Sequence, residues 1–467
     1  MQTGQLTDIH IEQQRERVFG KQPEIKLLGP CKLGNGILHL LQVQRDNLIY
    51  KFDHSDICTS FFIPASGSGS RMFQFLYDFV NSPNEENRGQ IERFLNYIED
   101  FPFFQKLPSE VRKKLRSHDV NLEEFIHFLL NDKETGLGSL PKGLIPFHKN
   151  GPFVLNPFQE HILQGTKIKE EKAVFHFTVH PDYIQKIQDV IHSSEILTGN
   201  KYDVRFSVQN ETSNAVAFDS NGNIASDEQG KVITRPAGHG ALLENLNAIH
   251  SDLIFIKNID NVQHYAKSKE SVETWKYLGG IALWFDEERS RLFNNPSLED
   301  FIILNRTFQI IPEEEAAQAS KDDIIRILNR PFRVCGMVRN EGQPGGGPFW
   351  IEEDGKISKQ IVEKSQISMN PHQYNMMVQS GYFNPVMIAV MNKDKNGLPF
   401  DLTQFCDENK FFVVKKKHKG KDIQFAELPG LWNGSMAYWN SIFVEVPSAT
   451  FSPVKTVLDL LDNAHRE

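Results

Sequence analysis

Phe61-Phe62-Ile63-Pro64-Ala65-Ser66-Gly67-Ser68-Gly69-Ser70-Arg71-Met72 is the stretch on which the fold turns. A short apolar strand runs into a loop built almost wholly of glycine and serine, and 73–80 then has a helix-compatible composition. Strand, side-chain-poor loop and helix in succession form the opening unit of an α/β fold. Small residues after a strand let backbone N–H groups converge on an anion, helped by the positive end of the following helix. Arg71 adds a charged fork suited to phosphate. The loop has neither the Gly-Lys-Ser/Thr of a P-loop nor a complete GxGxxG. By itself it reads either as a plain Gly/Ser turn or as a phosphate cradle.

Outward from this loop, residues 1–55 read as an extension: a polar helical stretch, then short apolar pieces at 37–41 and 48–50. A main α/β domain is expected over 56–400, with a helical insertion at about 73–138, and residues 401–467 form a C-terminal piece. Within the insertion, Ile91, Phe94, Leu95 and Ile98 recur at i, i+3, i+4 and i+7, as do Leu122, Phe125, Ile126 and Leu129. Strands and helices then alternate. Ala173, Phe175, Phe177 and Val179 mark a strand, Tyr183, Ile187 and Val190 a helix, 204–209 a strand and 241–249 a helix. The run DLIFIKNID at 252–260 has the continuous apolar character of a central parallel strand. Further strands are expected at 332–338, 386–390, 411–415 and 441–446. Residues 341–348 (EGQPGGGP) read as a mobile loop, and the lysine-rich 415–421 as an exposed hairpin tip. The expected class is α/β: a Rossmann-like fold with a mixed, mostly parallel sheet and right-handed crossovers.

Composition bounds the function. A chain of 467 residues allows two to four domains at about 150 residues each. Hydrophobic content of 39% and charged content of 24% exclude a disordered, collagenous or coiled-coil chain. A net charge of −9 excludes a general binder of nucleic acid or of anionic membranes. The four cysteines, Cys31, Cys58, Cys335 and Cys406, form no CxxC pair, so neither a disulfide framework nor a zinc knuckle is indicated. Cys335 and Cys406 read as core thiols. No apolar run reaches the ~18 residues of a membrane span, and the polar start lacks the features of a signal peptide. A cytoplasmic, reduced protein is the expectation. His176 and His180 have helical metal spacing but fall on an expected strand, where four residues span about 13 Å and one ion cannot reach both.

The order of motifs resembles that of the sugar-1-phosphate nucleotidyltransferases and the UDP-sugar pyrophosphorylases. The 65–72 loop is similar to their GGxGTR signature followed by Leu or Met; Gly67, Gly69, Arg71 and Met72 keep its spacing, while Ser66, Ser68 and Ser70 stand where glycine or threonine is usual. Leu140-Pro141-Lys142-Gly143-Leu144-Ile145-Pro146 resembles their PKxLxP, and Asn156-Pro157-Phe158-Gln159 the helix start that follows it. Arg235-Pro236-Ala237-Gly238-His239-Gly240 looks like the segment lying against the base, and Asn258-Ile259-Asp260-Asn261 like the strand end whose Asp binds Mg²⁺. Phe451-Ser452-Pro453-Val454-Lys455 resembles the late element whose lysine approaches the phosphates. The ordered set covers residues 63–455. The chain as a whole also resembles a bacterial domain-of-unknown-function family related to those enzymes, which brings no activity with it.

The resemblance implies catalytic roles for Arg71, Lys142 and Lys455 and a Mg²⁺ ligand in Asp260, with no second protein ligand identified. It implies nucleotide contacts from Ala65, Ser66, Gly67, Ser68, Gly69, Ser70, Gln209, Gly238 and His239, and sugar contacts from Glu363 and Asn384. The residues taken alone leave plainer roles open. Asp260 at a strand end can cap a helix, Lys142 and Lys455 can be surface lysines, His239 can shape a turn, and Glu363 and Asn384 can be exposed strand-end residues.

The implied reaction joins an NTP, with UTP the candidate, to a sugar 1-phosphate and releases pyrophosphate. Its nucleophile is already an anion, so catalysis is positioning and charge neutralisation, and no nucleophilic triad is required. Two other functions stay open: a glycosyltransferase on the same fold, against which the lack of a DxD at a strand end counts, and a catalytically silent nucleotide or nucleotide-sugar sensor. The loop serines keep the second alive, because a Cβ can block close approach of phosphate to the backbone. Oligomeric state is not readable.

Overall fold

The computed structural model describes residues 8–82, 84–132, 136–210, 213–342, 345–368, 370–418 and 421–467. Two compact units emerge, each assembled from separated segments. One comprises Met1–Ile57, Gln209–Ile256 and Lys276–Ser448; the other comprises Cys58–Val208, Lys257–Trp275 and Ala449–Glu467. The fold is mixed α/β with a mostly parallel central sheet, as expected from the sequence, while the smaller sheets pair antiparallel.

In the second unit, strand Thr59–Pro64 pairs in parallel with Ala173–Thr178, which pairs in parallel with Asp203–Ser207. The first connection holds the Gly/Ser loop, the helical insertion and helix Pro157–Ile168; the second is helix Ile184–Thr198. Parallel neighbours need such long crossovers, and helices supply them. Phe61 and Phe175, in register, stack at 5.2 Å. The insertion is helical at Gln74–Asn81, Glu85–Asn96, Ser109–Arg116 and Leu122–Asn131. Its inner faces close over buried Phe73, Phe75, Phe94, Phe101, Phe103, Phe104 and Phe125. Ring pairs such as Phe94 with Phe101 at 5.1 Å add aromatic contact to the burial. Much of the chain's abundant phenylalanine is spent here. Val454, Val457, Leu458 and Leu460 sink into the same core, so the piece carrying Lys455 is anchored on the insertion.

In the first unit, Gly36–Leu38, Asn440–Glu445 and Phe332–Arg339 run parallel in that order, and Ile388–Met391 pairs antiparallel with Phe332–Arg339. The apolar run at 252–260 yields a strand of only Leu253–Ile256, fully buried, which pairs antiparallel with Ile388–Met391. Full burial produces a continuous apolar run whichever way the neighbour points, so the run does not report strand direction. Phe412–His418 and Lys421–Glu427 pair as a hairpin, so Lys415–His418 and Lys421, expected at its tip, lie within its strands; residues 419–420 lie outside the described residues. Residues 343–344 of the expected mobile loop also lie outside, and its end, from Gly347, is already strand. Cys335 is buried and Cys406 only half-buried.

Candidate functional site

The second unit brings four of the sequence motifs into mutual contact. Ala65 still donates its N–H to Thr178 O at 2.8 Å, and the chain then leaves the sheet. The loop does not hang free. Gly69 N donates to Leu140 O at 2.9 Å, Lys142 N donates to Gly67 O at 3.1 Å, and Ser68 bridges Pro141. The Gly/Ser loop and the Leu140–Pro146 motif are therefore zipped backbone to backbone. Gly69 sits where this zip is tightest: a Cβ there would lie 2.3 Å from Ile145 Cδ1 and 2.9 Å from Leu140 O. Nothing lies within 4 Å of a Cβ built on Gly67. The two glycines separate experimentally. Gly69→Ala is expected to lower stability by about 1–3 kcal/mol through overpacking. Gly67→Ala leaves the melting temperature unchanged but weakens binding of pyrophosphate, because its new methyl faces open space where a phosphate would approach. Thermal melts with and without pyrophosphate check both.

Asp260 is the hub. Its Oδ2 accepts Lys142 Nζ at 2.8 Å and Lys455 Nζ at 3.1 Å. The Lys455 segment is strung alongside: Val454 N donates to Asp260 O at 3.1 Å, and Ser452 N donates to Asn261 Oδ1 at 2.9 Å. Asp459 Oδ2 accepts the N–H groups of Lys455 and Thr456, both at 2.7 Å, closing a capping box around the turn that aims Lys455. Thr456-x-x-Asp459 is legible in the sequence as such a box, although Asp459 was not among the candidate residues. Burial pushes the Asp260 carboxyl up, but Lys142 and then Lys455 more than offset it and hold it below the usual carboxylate range. Burial pulls Lys142 below the ordinary lysine value against the opposing pull of Asp260. Two ammonium groups on one carboxylate leave the trio with a formal surplus of positive charge, aimed by packed elements. Arg71 is exposed on the turn that follows the loop.

The trio also bears on magnesium. Asp260 Oδ1 is buried and has no hydrogen-bond partner. Among the described residues no group of three or more His, Cys, Asp or Glu side chains could hold a metal ion. A single hard carboxylate with a spare oxygen fits Mg²⁺, which commonly takes one or two carboxylates with phosphate oxygens and water. It does not fit a structural metal. Lys257, three residues earlier, is buried over the Trp275 ring at 5.2 Å, and burial pulls it down to about 7. Its only sequence signal is a lysine in an otherwise apolar run.

The remaining candidate residues belong to the first unit. Gly238 has φ of 74°, and His239 stacks on Trp432 at 4.0 Å while its Nδ1 accepts the Leu431 N–H at 2.8 Å. That bond places the ring proton on Nε2, 3.9 Å from Glu363 Oε1. Burial keeps His239 neutral, well below the usual histidine range. Glu363 and Glu427 line the same cavity of about 860 Å³, both carboxyls pushed up by burial. Gln209 Nε2 donates to Ser213 Oγ at 3.5 Å. Asn384 is buried, donates to Gly336 O at 2.8 Å and accepts the Val386 N–H at 3.0 Å. Its amide thus serves the main chain on both sides and holds Val386 at φ 61°, a conformation a β-branched residue rarely adopts. His176 bonds Ser207 Oγ at 2.9 Å, and His180 lies beyond the strand end.

The chain belongs to the family described as domain of unknown function DUF4301, which matches residues 1–466. No curated protein matches it in sequence. Among solved structures it is similar to a protein assigned as a UDP-N-acetylglucosamine pyrophosphorylase from Entamoeba histolytica, with 12% identity over 91% of this chain and 82% of that one and a TM-score of 0.49. It is also similar to a UDP-glucose phosphorylase from Trypanosoma brucei, with 12% identity over 95% and 71% of the two chains and a TM-score of 0.45. A single-residue variant of UDP-glucose pyrophosphorylase from Leishmania major matches at 10% identity over 94% and 70%, with a TM-score of 0.45. No described helix is long and apolar enough to cross a membrane.

Proposed function

We propose that this protein transfers a nucleotidyl group from an NTP, with UTP the first candidate, to a sugar 1-phosphate, and that the second unit holds the polyphosphate. The observation that carries the reading is the convergence of Lys142 and Lys455 on Asp260 beside the Gly/Ser loop. A sugar-phosphate oxygen forms the new bond to the α-phosphorus, the bridge to the β-phosphate breaks, and its electron pair leaves with pyrophosphate. No proton moves, so the chain needs no general base. Lys142 and Lys455 leave Asp260 to neutralise the phosphate oxygens, and the backbone N–H groups of Ser66, Gly67 and Ser68 cradle them. Asp260, freed from its lysines and with Oδ1 spare, would hold Mg²⁺. Bound there, the ion would draw charge from the phosphate oxygens and the departing pyrophosphate. Arg71, exposed at the loop's end, is the cation we assign to the leaving group. Arg71→Ala is expected to cost about 2–4 kcal/mol in kcat/KM with no change in melting temperature.

The test is pyrophosphate release from Mg²⁺, each NTP and a panel of sugar 1-phosphates. Turnover with one pair supports the reading; no release with any pair, and no stabilisation by any NTP, overturns it. One observation favours the sensor as a second reading. Ser68 Oγ accepts the Ser70 N–H at 3.2 Å, and with Ala65 N on Thr178 O and Gly69 N on Leu140 O three loop donors are already engaged. Stabilisation by UTP without turnover would select the sensor.

A further inference from the structure

His148 and Glu160 are fully buried, and His465 nearly so. His148 Nδ1 lies 2.7 Å from Glu160 Oε1, and His148 Nε2 lies 2.9 Å from His465 Nδ1. The His465 ring is hydrogen-bonded in turn by the backbone of Ser452, three residues before Lys455. Both ends of this chain are acceptors, a carboxylate at one end and a carbonyl at the other. Three hydrogen bonds in a row require three protons, and two neutral imidazoles supply only two. The row closes only with one further proton, held between Glu160 and His148.

The surrounding groups leave that count intact. His264, edge-on to His148 at 5.5 Å, spends Nε2 on Lys149 O and Nδ1 on the Ala266 N–H. His161 spends Nε2 on Ile259 O, and burial keeps it neutral. Glu160 Oε2 accepts Gln164 Nε2 at 3.3 Å. Burial holds His465 down at about 3, so it is neutral and its Nδ1 is free to accept.

We propose that Glu160, His148 and His465 form a proton-loaded clasp that fixes residues 449–467 and so positions Lys455. They are positioning residues, acting through Ser452 on the segment that carries Lys455. The clasp rests on the nucleotidyltransferase reading only for what Lys455 does once positioned.

Amide hydrogen exchange over residues 449–461 of the full chain, without ligand, tests the clasp apart from activity. His465→Ala and Glu160→Leu are expected to speed exchange there by about tenfold or more. Glu160→Gln restores wild-type protection, because its amide N–H can donate to Nδ1 of a neutral His148. Should Glu160→Leu fail to fold, His465→Ala against the wild type and Glu160→Gln decides alone. Exchange that is identical in all variants, or equally fast in Glu160→Gln and Glu160→Leu, overturns the clasp. A loosened stretch in a protein that releases no pyrophosphate keeps the clasp and removes the enzymatic reading.

Discussion

Lys142→Met lowers kcat of pyrophosphate release by about a hundred- to a thousandfold, the range seen when one preorganised donor to developing charge is removed. Lys142 is the better fixed of the two lysines. Its backbone is held by the Gly/Ser loop, its side chain is only 16% exposed, and Asp260 restrains its ammonium at 2.8 Å. Methionine keeps the length and apolar stem while deleting the charge, so packing survives. Lys455, 56% exposed, still pairs with Asp260 in the variant. The melting temperature therefore moves little while turnover collapses. Lys417, on the exposed hairpin of the other unit, is the control: Lys417→Met leaves both unchanged. Steady-state kinetics beside thermal melts of the three proteins check the expectation. Equal loss of stability and turnover in Lys142→Met would assign the lysine a packing role.

Asp260→Asn acts on both stability and metal. The amide keeps the shape but leaves two ammonium groups facing each other, with the Asp459 carboxylate as the remaining counter-charge. Removing one partner of a fully buried ion pair costs about 3–5 kcal/mol; half-exposed Lys455 softens this, so a loss of about 2 kcal/mol is expected. The loss has a pH signature. Asp260 lies below the ordinary carboxylate range when folded, so the unfolded chain takes the proton first as pH falls. The ion pair's contribution is present above about pH 4 and fades as pH drops below it. The stability gap between wild type and Asp260→Asn must therefore narrow in acid. Activity in the variant requires more Mg²⁺. A helix cap would show neither effect, because Asn caps about as well as Asp. Denaturant titrations from about pH 3 to pH 7, with Mg²⁺ titrations of turnover, separate the two roles.

What was legible in the sequence is what local backbone chemistry writes there. A strand entering Gly67 and Gly69, a lysine between Pro141 and Gly143, and an Asp at the end of an apolar strand each state a geometry within a few residues. The heptad-like spacing in 84–131 likewise marks helices whose faces do close on a core. Assembly was less legible. Residues 401–448 fall in one unit while 449–467, with Lys455, fall in the other, and nothing in the composition changes at that joint. The Glu160–His148–His465 row joins residues 317 apart, at the extreme between His148 and His465. Isolated histidines in unremarkable segments carry no spacing by which to find it. Asn384 shows the opposite failure: a residue type suited to a ligand is occupied by the strained turn at Val386.

The central claim is that Lys142 and Lys455, parked on Asp260, are the cations of a polyphosphate site. Calorimetric titration of UTP and of pyrophosphate, each with Mg²⁺, into the wild type and into the Lys142→Met/Lys455→Met double variant tests it most directly. The two ligands are expected to compete for one site in the wild type, and the double variant to bind each at least about a hundredfold more weakly, or about 2.7 kcal/mol. Unchanged affinity in the double variant, or simultaneous binding of both ligands to the wild type, would contradict it.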